Sequence, residues 1–209
     1  MTDNLNQSAA PIVGIFRHRI ETDGEGVTTL VGFFGCPLRC CYCLNPHSFD
    51  PKTKCMHLTP EELYERVKID QLYFLASGGG VTFGGGEPLE YAKFISEFRT
   101  LCGPIWHICA ETSLAVPWEK VRLAADCVDR FIIDCKDTDP NIYRSYTGKD
   151  NALMLDNLQK LAKLISPERI TVRIPLIKDF NTEEDRQKSA EYIRSLGISS
   201  LDFFEYKIR

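Results

Sequence analysis

Residues 35–43 read Gly35-Cys36-Pro37-Leu38-Arg39-Cys40-Cys41-Tyr42-Cys43 and follow directly on the apolar run 30–34. Cysteines 36, 40 and 43 have the spacing CxxxCxxC, which brings three thiols onto one short loop. Cysteine thiolates on short loops are common ligands of iron-sulfur clusters. A loop that supplies three of the four ligands of a cubane leaves one iron free to bind another molecule. The spacing therefore predicts a cluster with one open coordination position.

Two other interpretations fit the same loop. A structural zinc ion needs four nitrogen or sulfur ligands in a closed tetrahedron, and Cys41, His47 or Cys55 offers the fourth. Inert buried thiols are the other alternative, although free cysteines usually behave as isolated small hydrophobes and not as clusters. Cys41 does not fit the spacing of the other three, and we interpret it as a packing residue.

Length and composition indicate a single globular domain. The chain has 209 residues, of which 44% are apolar and 26% are charged, and this size is enough to bury a full core. We expect a flexible N-terminus over residues 1–11 and one core domain over 12–209. Only Cys55 lies between Cys43 and Gly84, so we expect no cysteine-rich insert for an additional cluster.

The composition also narrows the location and the class of partner. The N-terminus lacks the basic region and apolar core of a signal peptide, and no segment reaches the roughly 18 apolar residues of a membrane helix. Nine cysteines, an odd number, favour metal or cluster chemistry in a reducing compartment. We therefore expect a cytoplasmic protein without a membrane partner. A net charge of −4 makes nucleic acid an unexpected partner.

The order of the predicted elements indicates an α/β fold. A turn signal at 23–26 precedes a buried strand over 27–34, and Thr59 opens a capping box for a helix with an apolar stripe at Leu63, Val67 and Leu72. A second strand within 77–89 ends in three glycines, and further strands are predicted over 105–111, 128–136, 170–177 and 201–206. Helices are predicted over 90–101, 118–127, 141–165 (broken near Gly148) and 182–196. Residues 12–20 form a short strand or an irregular entry. Six strands that alternate with helices predict a parallel sheet.

A second candidate motif is Gly84-Gly85-Gly86-Glu87, at the end of the second of these six strands. Glycine permits positive φ and a close approach of the backbone to a ligand. Ligands of parallel sheets bind beyond the carboxyl ends of the strands. Together with the cysteine loop, this motif resembles the radical S-adenosylmethionine (SAM) superfamily, which has an aromatic residue, here Tyr42, before its last cysteine. The resemblance implies a partial (βα)6 barrel on a parallel six-stranded sheet, with the active site at its mouth.

A closer resemblance is to the glycyl-radical-enzyme activating enzymes, typified by the activator of pyruvate formate-lyase. Further segments that resemble this branch are 23–26, 33–36, 43–46, 77–83, 173–177 and 180–181. The resemblance implies one 4Fe-4S cluster on Cys36, Cys40 and Cys43, with SAM on its open iron. It also implies anaerobic chemistry, in which one electron cleaves SAM to methionine and a 5'-deoxyadenosyl radical. That radical removes a hydrogen atom from a glycine of a partner glycyl radical enzyme.

The same resemblance assigns roles to individual residues. Tyr42 and the segment Gly84-Gly85-Gly86 would line SAM, and Glu87 would hold its ammonium group. Asp134 and Lys136 match the DLK pair of the branch and would meet the ribose and the carboxylate of SAM; strand alternation places both on one face. Glu111 lies where the activators carry an aspartate beside a monovalent cation, and Arg173 would lie in the same mouth. No general acid or base is required, and a flavodoxin- or ferredoxin-type protein would donate the electron.

The chain departs from the activator pattern at several positions. Thr28 and Lys207 stand where the activators usually have a basic residue and an active-site histidine, and Glu25 replaces a proline. The last residue is Arg209, and longer relatives continue past it, so we expect one side of the mouth to be more open. These departures favour the second hypothesis, a radical SAM enzyme that acts on a small molecule or a peptide. A non-catalytic zinc or electron-transfer protein is the third.

Overall fold

The computed structural model describes residues 8–206 and contains one mostly parallel β-sheet with helices packed against it. Within this range the chain forms eight strands: β1 (Ala10–Ile20), β2 (Val27–Phe33), β3 (Met56–Leu58), β4 (Gly80–Gly85), β5 (His107–Thr112), β6 (Arg130–Asp134), β7 (Ile170–Leu176) and β8 (Leu201–Glu205). Their order in the sheet is β3-β1-β2-β4-β5-β6-β7-β8. The α/β class is confirmed.

The predicted six-stranded sheet is too small, because two antiparallel strands extend it at one edge. Six strands are parallel to one another: β2, β4, β5, β6, β7 and β8. β1 pairs antiparallel with both β2 and β3. β3 has only three residues, too few for a periodic signal. β1 begins at Ala10, so the end of the predicted flexible segment 1–11 belongs to the sheet. Residues 1–7 and Lys207 lie outside the described residues.

Helices connect the parallel strands in sequence. They are α1 (Pro60–Val67), α2 (Gln71–Ser77), α3 (Ala92–Cys102), α4 (Trp118–Ala125), α5 (Pro140–Thr147), α6 (Ala152–Leu164) and α7 (Glu183–Ser195). The capping box at Thr59 is present, since its side chain and that of Glu62 exchange hydrogen bonds with the backbone. The predicted apolar stripe of the first helix is wrong at Leu72, because this side chain is 79% exposed. A 3₁₀ turn separates α1 from α2 and ends the periodicity of the first helix.

The register of the parallel strands aligns the candidate residues in neighbouring rows. Gly32 of β2 pairs with Gly84 of β4, and Asp134 of β6 pairs with Arg173 of β7. Phe33, Phe83, Phe94 and Phe98 are fully buried and form the aromatic part of the core. The carboxyl ends of the strands therefore lie along one edge above this core. Among the described residues, no helix has the length and apolarity needed to cross a membrane.

Candidate cofactor site at the carboxyl ends of the strands

The cysteine loop, residues 35–43, leaves the end of β2 and rests against the C-terminal turn of α5. The N–H groups of Arg39 and Cys41 donate hydrogen bonds to the carbonyl oxygens of Thr147 (2.9 Å) and Tyr146 (3.0 Å). These two bonds flank Cys40 on either side. The loop backbone is thus held in place by protein contacts alone, which is the condition for a preorganised ligand set.

Three of the four cysteines of the loop are half-buried. Cys36 and Cys40 are half-buried and pack against the core, and Cys43 is also half-buried. Burial raises the pKa of Cys36 to about 12 and that of Cys40 to about 11, and the neighbouring cysteines raise both further. Thiols with such pKa values keep their protons at neutral pH unless a metal displaces them. Three half-buried cysteines on one short loop fit a sulfur-ligated cluster.

The other cysteines and histidine near the loop do not complete a compact site for one ion. Cys41 is exposed, and its sulfur lies 3.8 Å from the Ser145 carbonyl oxygen. In residues 8–206 no group of three or more His, Cys, Asp or Glu side chains is placed to hold a single metal ion. Ligands of a cubane bind different irons, so they need not lie as close together as the ligands of one ion.

The glycine turn at the end of β4 is joined to the start of the cysteine loop. The N–H of Gly86 donates to the Phe33 carbonyl oxygen (2.9 Å), and the N–H of Glu87 donates to that of Gly35 (2.7 Å). A Cβ atom at Gly86 would overlap the Gly35 carbonyl group, and one at Gly84 would lie 3.0 Å from Glu111 Oε2. Only glycine leaves this backbone open. The turn therefore forms an open stretch of backbone joined to the first residue of the cysteine loop.

Glu87, predicted to hold the SAM ammonium group, makes four hydrogen bonds to neighbouring groups of the chain. Its side chain is buried, with 1% of the residue exposed. Oε1 accepts hydrogen bonds from the Thr112 hydroxyl (2.6 Å) and the Leu89 N–H (3.2 Å). Oε2 accepts from the N–H (2.9 Å) and the hydroxyl (2.6 Å) of Ser113. Burial raises the pKa of Glu87 although these bonds oppose the shift. Glu87 thus joins the glycine turn to the end of β5.

Glu111 and Arg173 form an ion pair across the face of the sheet. Arg173 Nη1 lies 2.8 Å from Glu111 Oε1, and Arg173 also contacts Asp202 (3.4 Å) and the Thr22 carbonyl oxygen (3.0 Å). Burial raises the pKa of Glu111 to about 7, against the opposing effect of Arg173. Residues predicted from separate strands therefore meet, and the positive charge beside Glu111 is supplied by the chain itself.

Asp134 and Lys136 lie together, as alternation along β6 predicts. Lys136 Nζ is 3.3 Å from Asp134 Oδ2 and donates a 2.8 Å hydrogen bond to the Tyr206 hydroxyl. Burial lowers the pKa of Lys136, but Asp134 and Tyr206 outweigh it, and the pKa stays well above its usual value. Lys136 also lowers the pKa of Cys40, which places its charge beside the cysteine loop.

Tyr42 packs against one aromatic ring of helix α5 and one ring of the segment after β7. It contacts Tyr146 and Phe180 edge-on, with centroids 6.1 and 5.6 Å away, and its hydroxyl lies 3.5 Å from Asp179. Its ring therefore connects the cysteine loop to the segment that follows β7. The sequence analysis did not identify Asp179 or Phe180 as neighbours of this loop.

Sequence analysis also missed Asp202 and Phe204 on β8 and Tyr206 directly after it. With Leu44, Asp134 and Arg173 they line a cavity of about 250 Å³. Their spacing of two residues could have indicated that they line one surface, because alternate residues of a strand share one face. Ser113 was missed because nothing in its own segment marks it as a partner of Glu87.

Comparisons with known proteins agree with this geometry. The family model described as the Radical SAM superfamily matches residues 30–193. The (2S)-3-sulfopropanediol dehydratase activating enzyme of Klebsiella oxytoca is 30% identical over 86% of this chain and 75% of its own length. The pyruvate formate-lyase-activating enzyme of Staphylococcus epidermidis is 31% identical over 90% of this chain and 80% of its own.

A solved structure with a similar fold is Streptococcus suis SuiB bound to its precursor peptide SuiA. It superposes with a TM-score of 0.66 at 12% sequence identity and covers 85% of this chain and 38% of SuiB. This likeness concerns the fold. The family match covers most of the chain and includes both the cysteine loop and the glycine turn. On this match, this chain belongs to the radical SAM superfamily.

Proposed function

We propose that this protein is a glycyl-radical-enzyme activating enzyme that uses one 4Fe-4S cluster and SAM to install a radical on a glycine of a partner enzyme. The observation that carries the proposal is the similarity to activating enzymes, at about 30% identity, over 86% and 90% of the chain. Cys36, Cys40 and Cys43 would hold the cluster. The backbone of the glycine turn would line the methionyl part of SAM.

The cofactors would supply the reactive chemistry, and the chain would supply position and charge. When bound, the cluster and SAM provide a one-electron cleavage that produces a radical able to take a hydrogen atom from a glycine Cα. Lys136 holds a buried positive charge between Asp134 and Tyr206, where it would meet the carboxylate of SAM. Asp134 would accept hydrogen bonds from the ribose. No side chain needs to act as a general acid or base.

Glu111 and Arg173 would set the charge on the other side of the site. One Glu111 oxygen is bound by Arg173, so a monovalent cation would be limited to the other oxygen, which faces Gly84. Arg173 would also limit the negative charge near SAM, because its guanidinium contacts Asp202 as well. We propose that Arg173 is the main counter-charge of Glu111.

We further propose that the six parallel strands curl into a partial (βα)6 barrel. Two sets of contacts support this shape. The β1–β2 loop reaches three parallel strands, since Asp23 accepts from Thr82, Glu25 pairs with Arg130 and Thr22 accepts from Arg173. At the opposite end of the strands, the cysteine loop contacts the segment after β7. A flat sheet would keep the loops of its first and last strands apart.

The departure at Thr28 lies away from the proposed mouth. Thr28 is near the start of β2, whereas the cysteine loop follows its end. The residue is buried, with 3% exposed, and a neutral side chain suits that position better than an unpaired basic one. Thr28 therefore gives little support to a different substrate class.

We propose a flavodoxin- or ferredoxin-type electron donor and a cytoplasmic location.

The test is to mix the anaerobically reconstituted protein, SAM and reductant with a candidate partner, a large protein from the same genome that carries a C-terminal glycine-radical loop. We expect 5'-deoxyadenosine and a glycyl EPR doublet that disappears when the radical glycine of the partner is replaced by alanine. Formation of 5'-deoxyadenosine without a doublet would contradict activation and support a radical SAM enzyme for a small molecule or a peptide. Failure to form 5'-deoxyadenosine would contradict both functions.

A further inference from the structure

Positive charge is concentrated on the segment that contains the cysteine loop. Residues 35–58 include three basic residues, Arg39, Lys52 and Lys54, and a single acidic residue, Asp50. All three basic residues are exposed, and within the described residues 8–206 none of them forms an ion pair. The whole chain has a net charge of −4, so this segment differs in sign from the rest of the protein.

Lys149, directly after α5, adds a fourth cation to this surface. It is exposed, and the part of the chain that the structure describes offers it no carboxylate, because the adjacent Asp150 pairs with Arg144 (2.7 Å). Exposed lysines on other helices are paired: Lys160 on α6 and Lys188 on α7 each contact a carboxylate four residues before them. The lack of ion pairs is therefore a local property of the surface around the cysteine loop.

Arg39 and Lys149 are held close together by the contacts of the loop. Arg39 Nη1 donates a hydrogen bond to the Cys36 carbonyl oxygen (2.6 Å), and its guanidinium lies 4.8 Å from the centre of the Phe49 ring. The backbone N–H of Arg39 donates to the Thr147 carbonyl oxygen (2.9 Å), and the N–H of Lys149 donates to the Thr147 hydroxyl (3.2 Å). One residue of α5 thus connects the two cations.

The segment that carries Lys52 and Lys54 returns to the exit of the cysteine loop. Thr53, between the two lysines, and Asn45, two residues after the last cysteine, line the same cavity of about 180 Å³. Leu44, between that cysteine and Asn45, is 72% exposed. An exposed apolar residue accompanied by charged residues has the composition of a small protein interface, with an apolar centre and a polar rim.

We propose that this basic face, defined by Arg39, Leu44, Lys52, Lys54 and Lys149, docks an acidic protein that delivers single electrons to the cluster site. This inference rests on the proposed function, because that function requires a cluster on this loop and an external electron. Transient redox complexes bury little surface and depend on charge complementarity for orientation and speed. A flavodoxin fits this description. Its flavin hydroquinone anion would lose one electron to become the neutral semiquinone, and the cluster would gain that electron with no proton transferred.

The double variant Lys52→Glu/Lys54→Glu reverses two of the four charges and leaves the cysteines and the glycine turn unchanged. Lys163→Glu/Arg194→Glu is the matched control, since it makes the same change of net charge at exposed residues of α6 and α7. Calorimetry measures the binding of oxidised flavodoxin to each reconstituted protein at low salt. We expect the Kd to rise on the order of tenfold in the first variant and to stay unchanged in the control.

The unsubstituted protein gives a second test that needs no variant. Its Kd for flavodoxin should rise with salt, because the Debye length falls to about 3 Å at 1 M. A Kd independent of salt, equal Kd values for all three proteins or equal weakening in both variants would overturn the inference. Binding of transfer RNA that is lost in Lys52→Glu/Lys54→Glu, without binding of flavodoxin, would overturn it in favour of nucleic acid.

Dithionite separates this inference from the proposed function, because a small reductant needs no docking surface. With dithionite and SAM, all three proteins should form 5'-deoxyadenosine at the same rate. With reduced flavodoxin, only Lys52→Glu/Lys54→Glu should be slower, and equal rates would overturn the inference. If dithionite gives no 5'-deoxyadenosine in any of the proteins, the proposed function fails, whereas the Kd values still test the basic face.

Discussion

The role of Glu87 can be tested by the substitution Glu87→Gln, which keeps the shape of the side chain. The amide replaces one carboxylate oxygen by an NH2 group, which cannot accept a hydrogen bond. Hydroxyls of Thr112 and Ser113 can rotate to accept from this group. The N–H of Leu89 or that of Ser113 cannot, because each points from the backbone at a different oxygen of Glu87.

At least one buried backbone N–H therefore loses its acceptor, which costs about 1–3 kcal/mol. Burial raises the pKa of Glu87, so its ionisation already opposes folding, and removal of the charge offsets part of this loss. We expect a net destabilisation of about 1–2 kcal/mol. For a chain of this size the melting temperature falls by about 2–4 °C per kcal/mol. SAM should bind more weakly because the glycine turn is no longer fixed to β5.

The assay is thermal unfolding of the cluster-free protein, together with SAM binding to the reconstituted protein. Glu90→Gln is the matched control, since Glu90 lies in the same 3₁₀ turn and makes a partly exposed ion pair with Lys120. Such pairs contribute about 0–1 kcal/mol. Unchanged stability of Glu87→Gln with lost SAM binding would refute the structural role and support direct contact between Glu87 and the ligand.

Four further predictions follow from the site. Gly86→Ala places a methyl group on the Gly35 carbonyl group, so we expect loss of SAM binding by calorimetry and a lower melting temperature; an unchanged affinity would contradict a role of this open backbone in SAM binding. The pKa of Glu111 is raised to about 7, so its carboxyl stabilises the folded state at low pH and loses this effect as pH rises. We therefore expect the unsubstituted protein to lose about 1 kcal/mol of stability between pH 6 and 8, and Glu111→Gln to lack this loss. Denaturant titrations of the cluster-free proteins that show the same change of stability with pH for both would contradict it. Arg173→Met should raise the pKa of Glu111 further, so its stability loss should move to higher pH, and no movement would contradict the ion pair. Cys40→Ala should abolish the visible absorbance of the reconstituted cluster, whereas full absorbance would exclude Cys40 as a ligand.

The backbone layout was predictable because local signals and long-range packing agree along most of the chain. Strands β4 to β8 alternate with helices whose start signals are local, such as the capping boxes at Thr59 and Thr182. The joining of the cysteine loop and the glycine turn follows from strand polarity, since both leave carboxyl ends of neighbouring strands. Periodicity and strand ends therefore predicted which segments meet.

Side-chain partners were less predictable, because they depend on contacts between distant segments. Glu87 was assigned to SAM from its motif, and nothing in that motif predicted that its oxygens accept hydrogen bonds from Thr112 at the end of β5 and from Ser113 after it. Leu72 continues an apolar pattern by spacing, but a 3₁₀ turn rotates it to the surface. A one-dimensional pattern does not specify such rotations or the competition for one carboxylate.

The most direct test of the central claim is EPR of the anaerobically reduced protein with and without SAM labelled with 15N in its amino group. If Cys36, Cys40 and Cys43 leave one iron open, SAM should change the signal, and ENDOR should detect coupling between the cluster and the labelled nitrogen. A spectrum unaffected by SAM, or a protein that binds one zinc ion in place of a cluster, would contradict the account.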